Sequence, residues 1–223
     1  HRTRRRMCPA ALDGPNGATP SDPPAPAGPV AVIGAGVAGA AAARALTRAG
    51  LDVTVIDRGP VAGEASGNPA GLLDPRLTVD DTPDGRFHAA GFLRSLEVLA
   101  DLPGAWLGRG VVRLARDGRE ARRYARLVEN GRLPADHLHW MPPGEPVQGL
   151  ANPQGALWVP RGGTIAPPRV VAGLLGDTPV VTGRVARLER AGDGWRLRDG
   201  DGAVLLEAAA VVLANGMGAA GLL

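Results

Sequence analysis

The stretch that most constrains this chain runs from Val30 to Asp57, VAVIGAGVAGAAAARALTRAGLDVTVID. Four apolar residues, Val30, Ala31, Val32 and Ile33, lead straight into Gly34-Ala35-Gly36-Val37-Ala38-Gly39. An alanine-rich segment broken at Gly50 follows, then alternating Val53, Val55 and Ile56, and the run closes on Asp57. That order predicts strand, glycine turn, helix, strand, acid. Gly34 permits a tight turn off the strand, Gly36 leaves backbone open to a pyrophosphate, and Gly39 lets the helix pack closely on the sheet. The helix N-terminus offers unpaired N–H groups and a positive dipole end to phosphates. Asp57 sits where a carboxylate accepts hydrogen bonds from ribose hydroxyls. The pattern predicts a dinucleotide site. The competing reading, a small-residue helix in an ordinary α/β core, does not account for strand, helix and acid together.

No charge falls between Pro24 and Arg44, which raises the question of a membrane span. The window is rich in Gly, Ala and Pro and poor in large apolar residues, so its transfer energy is too weak for one. At 223 residues, 44% hydrophobic and 21% charged, the chain can bury a sizeable core and belongs to the ordinary soluble class. Every basic residue is arginine, so a pI of 10.2 overstates a net charge of only +3. Nothing in that charge demands nucleic acid, and an aromatic share of 3% argues against a base-stacking platform.

Cys8 is the single cysteine, which rules out an internal disulfide and suits a reducing compartment. The Arg2, Arg4, Arg5, Arg6 run meets Pro9, Asp13, Gly14 and Pro15 rather than an apolar segment, so no signal peptide is expected and the chain reads as cytoplasmic. Residues 9 to 29 are dense in Pro, Gly, Asp and Ala. They predict a linker, and residues 1–28 are read as a linker or tail following an upstream domain.

Beyond Asp57, Arg58 to Leu73 reads as a loop of small residues in which backbone amides and the Ser66 hydroxyl can approach a ligand. A helix is expected from Pro83, burying Phe92, Leu93, Leu96, Leu99 and Ala100 on one face. Gly110 to Ala115 predicts a strand and Arg119 to Glu129 a helix. Its Arg119, Arg122, Arg123 and Arg126 read as a solvated face interleaved with Glu120 and Glu129, in preference to an RNA-facing patch. His137 and His139 alternate beside Trp140, which places both on one face of a strand; with no third ligand nearby, no metal site is expected.

A strand at Ala156 to Val159 and a helix over Arg169 to Leu175 come next. Strands are then expected at Pro179 to Thr182, Val185 to Glu189, Trp195 to Arg198 and Ala203 to Glu207, with a hairpin turn at Gly192-Asp193-Gly194. Ala209 to Leu213 is an apolar, buried-strand run that ends in Ala214-Asn215-Gly216. Strands of parallel type at both ends, with mixed β structure between, suit a dinucleotide domain interrupted by a second domain.

Five stretches together resemble the FAD-dependent oxidoreductases of the D-amino-acid oxidase and glycine oxidase type. They are VAVIGAGVAG at 30–39, EASGNPAGLLDPRLTVDD at 64–81, RFHAAGF at 86–92, WVPRGGTIAPPRV at 158–170 and VVLANG at 211–216. Within that family the chain is most similar to the C-terminal domain of the bifunctional enzymes of tRNA 5-methylaminomethyl-2-thiouridine biosynthesis. The resemblance implies an α/β fold: a Rossmann-like FAD-binding domain, with parts at about 29–80 and 165–223, and an inserted mixed β-sheet substrate domain at about 100–164. It implies FAD as cofactor. Gly34, Ala35, Gly36, Val37, Ala38 and Gly39 would surround the pyrophosphate, with Asp57 and Arg58 on the adenosine side. Ala65 and Ser66 would touch the phosphate and ribityl side, the backbone of Val185 the adenine, and Ala214, Asn215 and Gly216 would close over the dinucleotide.

The reaction implied is oxidative removal of the carboxymethyl group from 5-carboxymethylaminomethyl-(2-thio)uridine at the tRNA wobble position. tRNA and an upstream methyltransferase domain in the same polypeptide are the implied partners, with no membrane and no metal. Thr164 stands where the family tends to carry an aromatic residue. Family members continue beyond the position of Leu223 with the segments that bind substrate carboxylate and flavin ring. Catalytic residues are therefore unassigned, and the fragment alone is expected to bind FAD incompletely. Two rivals stand beside this reading: a free-standing oxidase of small amines or amino acids, and an inactive fragment serving as a binding module.

Overall fold

The computed structural model describes residues 26–222, so the expected linker over 1–28 and Cys8 lie almost wholly outside the described residues. The chain opens with β1 (Val30–Ile33), α1 (Val37–Arg48) and β2 (Val53–Asp57). After a short 3-10 turn at Ala65–Gly67 come β3 (Gly71–Leu73), α2 (Pro83–Ala100), β4 (Trp106–Leu114) and α3 (Gly118–Glu129). Then follow β5 (His139–Met141), β6 (Ala156–Ile165), α4 (Pro167–Leu175) and β7 (Val180–Thr182). β8 (Arg187–Ala191), β9 (Gly194–Arg198), β10 (Val204–Ala208) and β11 (Ala210–Leu213) precede a final 3-10 turn at Gly216–Gly221.

Three sheets result. The first is parallel, in the order β11-β1-β2-β7, with Val30 opposite both Val53 and Ala210. All four residues of β1 are buried, because each face of this sheet is covered. Val30 and Val32 pack toward α1 and α4, while Ala31 and Ile33 pack toward Leu197 and Ala208 of the second sheet. A strand covered on both faces has no use for polar alternation, which is why its sequence reads as an unbroken apolar run. The second sheet is the antiparallel meander β10-β9-β8, turned at Gly192, whose φ of +61° is a glycine conformation.

The third sheet places β6 centrally, with β4 along one edge and β3 and β5 on the other. Tyr124 and Leu127 of α3 pack against Leu157 and Val159 of β6 in its core. α2 is capped by Thr82, which accepts from the Gly85 amide at 3.1 Å, and has Pro83 in its first turn. It ties the layers together, with Phe92 in the core beside α3 and Leu99 in the core beneath α1.

Several local expectations change. The run expected as loop to Leu73 contains β3, which pairs antiparallel with Gly163–Ile165 of β6 although it lies in the stretch expected to belong to the dinucleotide part. Three residues without alternating polarity carry no strand signal of their own; pairing to a distant partner supplies the structure. His137 is in a turn, not beside His139 on a strand, and its Nδ1 lies 2.6 Å from Asp136 Oδ1. Ala100 is exposed at the end of α2, where the helix runs past the core. Among the described residues, no helix is long and apolar enough to cross a membrane, and no group of three or more His, Cys, Asp or Glu is placed to hold a metal ion.

Candidate dinucleotide-binding site

The residues expected around a dinucleotide converge at the carboxyl ends of β1, β2, β7 and β11. β2 and β11 flank β1 on opposite sides, so this end of the sheet is a topological switch point, where open α/β sheets bind ligands. Gly34 leaves β1 with φ of +112° and donates its amide to the Ile56 carbonyl at 2.8 Å. A Cβ on Gly34 would lie 2.5 Å from the Ala214 carbonyl oxygen. The turn therefore needs glycine twice over, for its backbone angle and for the close approach of the strand end at Ala214. A Cβ on buried Gly39 would overlap the Gly34 carbonyl oxygen, so helix and turn are in backbone contact.

Gly36 is different. Its backbone is extended (φ −86°, ψ −174°), and a Cβ there would meet only Ser66, with Oγ at 3.1 Å. Its backbone angle does not call for glycine; its missing side chain leaves room for the Ser66 hydroxyl beside the helix end. The first bond within α1 runs from the Ala40 amide to the Gly36 carbonyl at 2.9 Å, so the amides before it point out of the helix end. One of these, Val37, is satisfied by Ser66 Oγ at 3.0 Å; Val37 and Ala38 are exposed.

Asp57 closes the base of the turn. Its Oδ2 accepts the Ala35 amide at 2.6 Å and its Oδ1 the Gly59 amide at 3.0 Å. Each oxygen keeps a second lone pair, so the carboxylate can still accept a ribose hydroxyl. The Ala62 amide donates to the Ala35 carbonyl at 3.0 Å, which draws the following loop over the glycine turn. Arg58 is exposed and held by Glu64 at 2.5 Å. Ala65 is exposed beside Ser66 in the 3-10 turn.

Val185 lies on the segment after β7, half-buried against the core with Leu188 and Leu205, and the nearby Gly183 amide donates to the Asp57 carbonyl at 2.7 Å. On the other side the Ala214 amide donates to the Ile33 carbonyl at 2.8 Å. Asn215 has a buried Oδ1 with no protein partner, and Gly216 adopts φ of +57°. The structure thus gathers thirteen of the fourteen expected residues at one end of one sheet, and Val185 follows β7 but packs toward the second sheet. The cradle carries outward-facing amides, a bare Gly36 and an orphaned Asn215 oxygen, which is a donor and acceptor set that fits a pyrophosphate-linked dinucleotide. Sequence reading did not find the amide bonds of Asp57 or the contact of Gly34 with Ala214. The second of these has no local signal, because it joins residues from opposite ends of the fold.

Residues 29–223 match the DAO family, described as FAD dependent oxidoreductase. The chain belongs to that family. FAD is the family's cofactor, and the cradle described above is compatible with it. Among curated relatives, the tRNA 5-methylaminomethyl-2-thiouridine biosynthesis bifunctional protein MnmC of Maricaulis maris is 41% identical over 192 residues, covering 86% of this chain and 30% of the relative. The protein of the same name from Caulobacter vibrioides is 38% identical over 194 residues, covering 87% of this chain and 32% of that one. This FAD-dependent oxidoreductase chain therefore spans about a third of the length of these relatives.

Among solved structures, glycine oxidase from Geobacillus kaustophilus superposes with a TM-score of 0.66 at 23% identity, covering 86% of this chain and 56% of the other. Iminodiacetate oxidase from Chelativorans sp. BNC1 superposes at 0.64 with 25% identity and the same coverage.

Proposed function

We propose that this chain is the FAD-binding part of an enzyme that removes the carboxymethyl group from 5-carboxymethylaminomethyl-(2-thio)uridine at the tRNA wobble position. The observation that carries the reading is the 41% identity over 86% of the chain to a protein of 5-methylaminomethyl-2-thiouridine biosynthesis. Gly34, Ala35, Gly36, Val37, Ala38 and Gly39 surround the pyrophosphate at the start of α1, where the Gly36, Ala38 and Gly39 amides are left to donate to it, the other three being taken by Ile56, Asp57 and Ser66. Ser66 accepts the Val37 amide and keeps its own O–H to donate toward the phosphate, and Ala65 lies beside it. Asp57, rigid because two backbone amides grip it, accepts from the adenosine ribose, with Arg58 at its edge. The backbone at Val185 borders the adenine, and Ala214, Asn215 and Gly216 cover the dinucleotide from β11.

Bound FAD supplies the two-electron acceptor for oxidation of the substrate C–N bond, and hydrolysis of the resulting substrate imine gives glyoxylate and the aminomethyl base. The antiparallel sheet of β3, β4, β5 and β6, within about 100–164 apart from β3, forms part of the substrate-covering domain. The partners of this reading are tRNA and a methyltransferase domain upstream in the same polypeptide, which accepts the freed amine, and the setting is the cytoplasm. The test is mass spectrometry of tRNA nucleosides from a deletion strain. Build-up of carboxymethylaminomethyl uridine supports the reading, and unchanged nucleosides overturn it.

A second reading, oxidation of a small amine, is favoured by the likeness to iminodiacetate oxidase at 25% identity. Iminodiacetate carries the same carboxymethyl group on a secondary amine. Turnover of free carboxymethylamines by the purified protein, with tRNA nucleosides unchanged in the deletion strain, would decide for it.

A further inference from the structure

α3 turns two faces to its surroundings. Ala121, Tyr124 and Leu127 are buried, and on the opposite side Arg119, Arg122 and Arg126 are exposed. At ~100° and ~1.5 Å per residue these three guanidiniums share an arc of ~60° along about 10 Å of helix. Two of the nearby acids, Asp117 and Glu120, are committed elsewhere. Asp117 caps the helix, accepting the Glu120 amide at 2.8 Å. Glu120 faces away from the stripe and takes both the backbone amide of Arg116, at 3.0 Å, and its Nε, at 2.9 Å. Among the described residues, no carboxylate lies within ion-pair distance of Arg119, Arg122 or Arg126; Glu129, exposed less than one turn past Arg126 at the edge of the same face, forms no ion pair. None of the exposed large apolar side chains belongs to α3.

The helix also grips the chain that leaves the cofactor cradle. Arg123 Nη2 donates to the Leu77 carbonyl at 3.1 Å, and just past the helix Asn130 Nδ2 and Arg132 Nη2 both donate to the Val79 carbonyl, at 2.8 and 3.0 Å. That loop follows β3 and the Ser66 turn directly, and it presents a further exposed arginine, Arg76. An unneutralised arginine stripe with no apolar centre is poorly suited to a protein partner, whose interfaces carry an apolar core. It suits phosphates, which the planar guanidinium binds bidentately.

We propose that the Arg119–Arg122–Arg126 stripe of α3 is a docking surface for the sugar–phosphate backbone of tRNA, an inference that rests on the tRNA reading above. The stripe positions RNA without reading sequence, because phosphate contacts carry no base information.

The test measures binding of an unmodified tRNA transcript to the full chain by fluorescence anisotropy across a salt series. The variants are R119Q/R122Q/R126Q and R119K/R122K/R126K, whose exposed helical positions tolerate either side chain. The glutamine variant is expected to bind about tenfold or more weakly at low salt, with a log–log salt slope shallower by about 2 to 3. The lysine variant, which keeps the charge, is expected to retain most of the slope. Unchanged affinity and slope in the glutamine variant, with wild type binding, overturn the surface alone. A wild-type chain with no salt-dependent affinity for tRNA overturns both the surface and the tRNA reading. Binding of an acidic protein but not tRNA through the stripe also overturns the proposal.

Discussion

Ser66 Oγ caps the Val37 amide at 3.0 Å, across 29 positions of sequence, at the start of a helix whose own N-cap, Gly36, has no side chain to do so. A helix that binds phosphate at its tip needs a bare residue at that cap, and the hydroxyl is supplied from a separate turn. Ser66→Ala should lose about 1 kcal/mol of stability, the usual worth of such a cap. FAD affinity should fall with it, since the Ser66 O–H no longer donates at the phosphate end of the helix. Ser66→Thr should retain both. Chemical denaturation and a flavin titration read the two effects, and an unaltered Ser66→Ala protein would contradict the capping role.

Gly36 and Gly39 should separate binding from folding. Gly36→Val places a Cβ 3.1 Å from Ser66 Oγ, on backbone that any residue adopts, so the protein should still fold, losing no more than about the 1 kcal/mol of the Ser66 cap as that side chain gives way. Its visible flavin absorption should disappear. Gly39→Ala forces a methyl group into the Gly34 carbonyl, and should cost roughly 3 kcal/mol or prevent soluble expression, in line with over-packed cores. Wild-type stability of Gly39→Ala, or flavin retained by Gly36→Val, would count against the assigned roles.

Asp57→Asn keeps one oxygen where two are used. Either the Ala35 or the Gly59 amide would then face an NH2 group instead of an acceptor. A loss of about 1–3 kcal/mol is expected, the range for an unsatisfied partner of a charged hydrogen bond. Urea melts of apoprotein measure it free of any ribose contact; no loss there would leave Asp57 without its bracing function.

Acid should reach the protein partly through α3. The Arg116 side chain and its backbone amide hold the Glu120 carboxyl well below its ordinary 4.5, at about 2. A folded value below the unfolded one makes the contribution complete above the ordinary range, and it is lost as pH falls toward 2. The urea midpoint should therefore drop less between about pH 6 and about pH 3 in Glu120→Gln than in wild type. Equal drops would show that the pair does not couple to folding.

Much of this was legible in the residues themselves. Val30–Ile33 with Gly34, Gly36, Gly39 and Asp57 announced strand, turn, helix and acid, because each of those steps is enforced by local sterics. The helices from Pro83 and over Arg119 to Glu129 were legible from the first-turn proline and from period; that the second starts at Gly118 with Asp117 as its N-cap comes from the structure. β3 was not, since its three residues become a strand only by pairing with Gly163–Ile165. Nor was the second use of Asp57, which depends on where the Ala35 amide points after the turn. The arginines of α3, read as a solvated face, are exposed, but sequence spacing does not reveal that Arg116 takes up both oxygens of Glu120.

The pairing of β1 with β11 sets a clock on the molecule. Ile33 and Leu213 are partners across about 180 residues, so the crevice between Gly34 and Ala214 belongs to the slow, non-local class of contacts. On a ribosome adding roughly 5–20 residues per second, the first half of the cradle waits about 10 to 40 s for its second half to emerge. During that interval Val30 to Ile33 has an unpaired apolar edge, exposed to any strand that arrives first. On the proposed assignment, in which FAD touches both sides, the cofactor would reward only the finished pairing and act as a late selector of correctly closed chains.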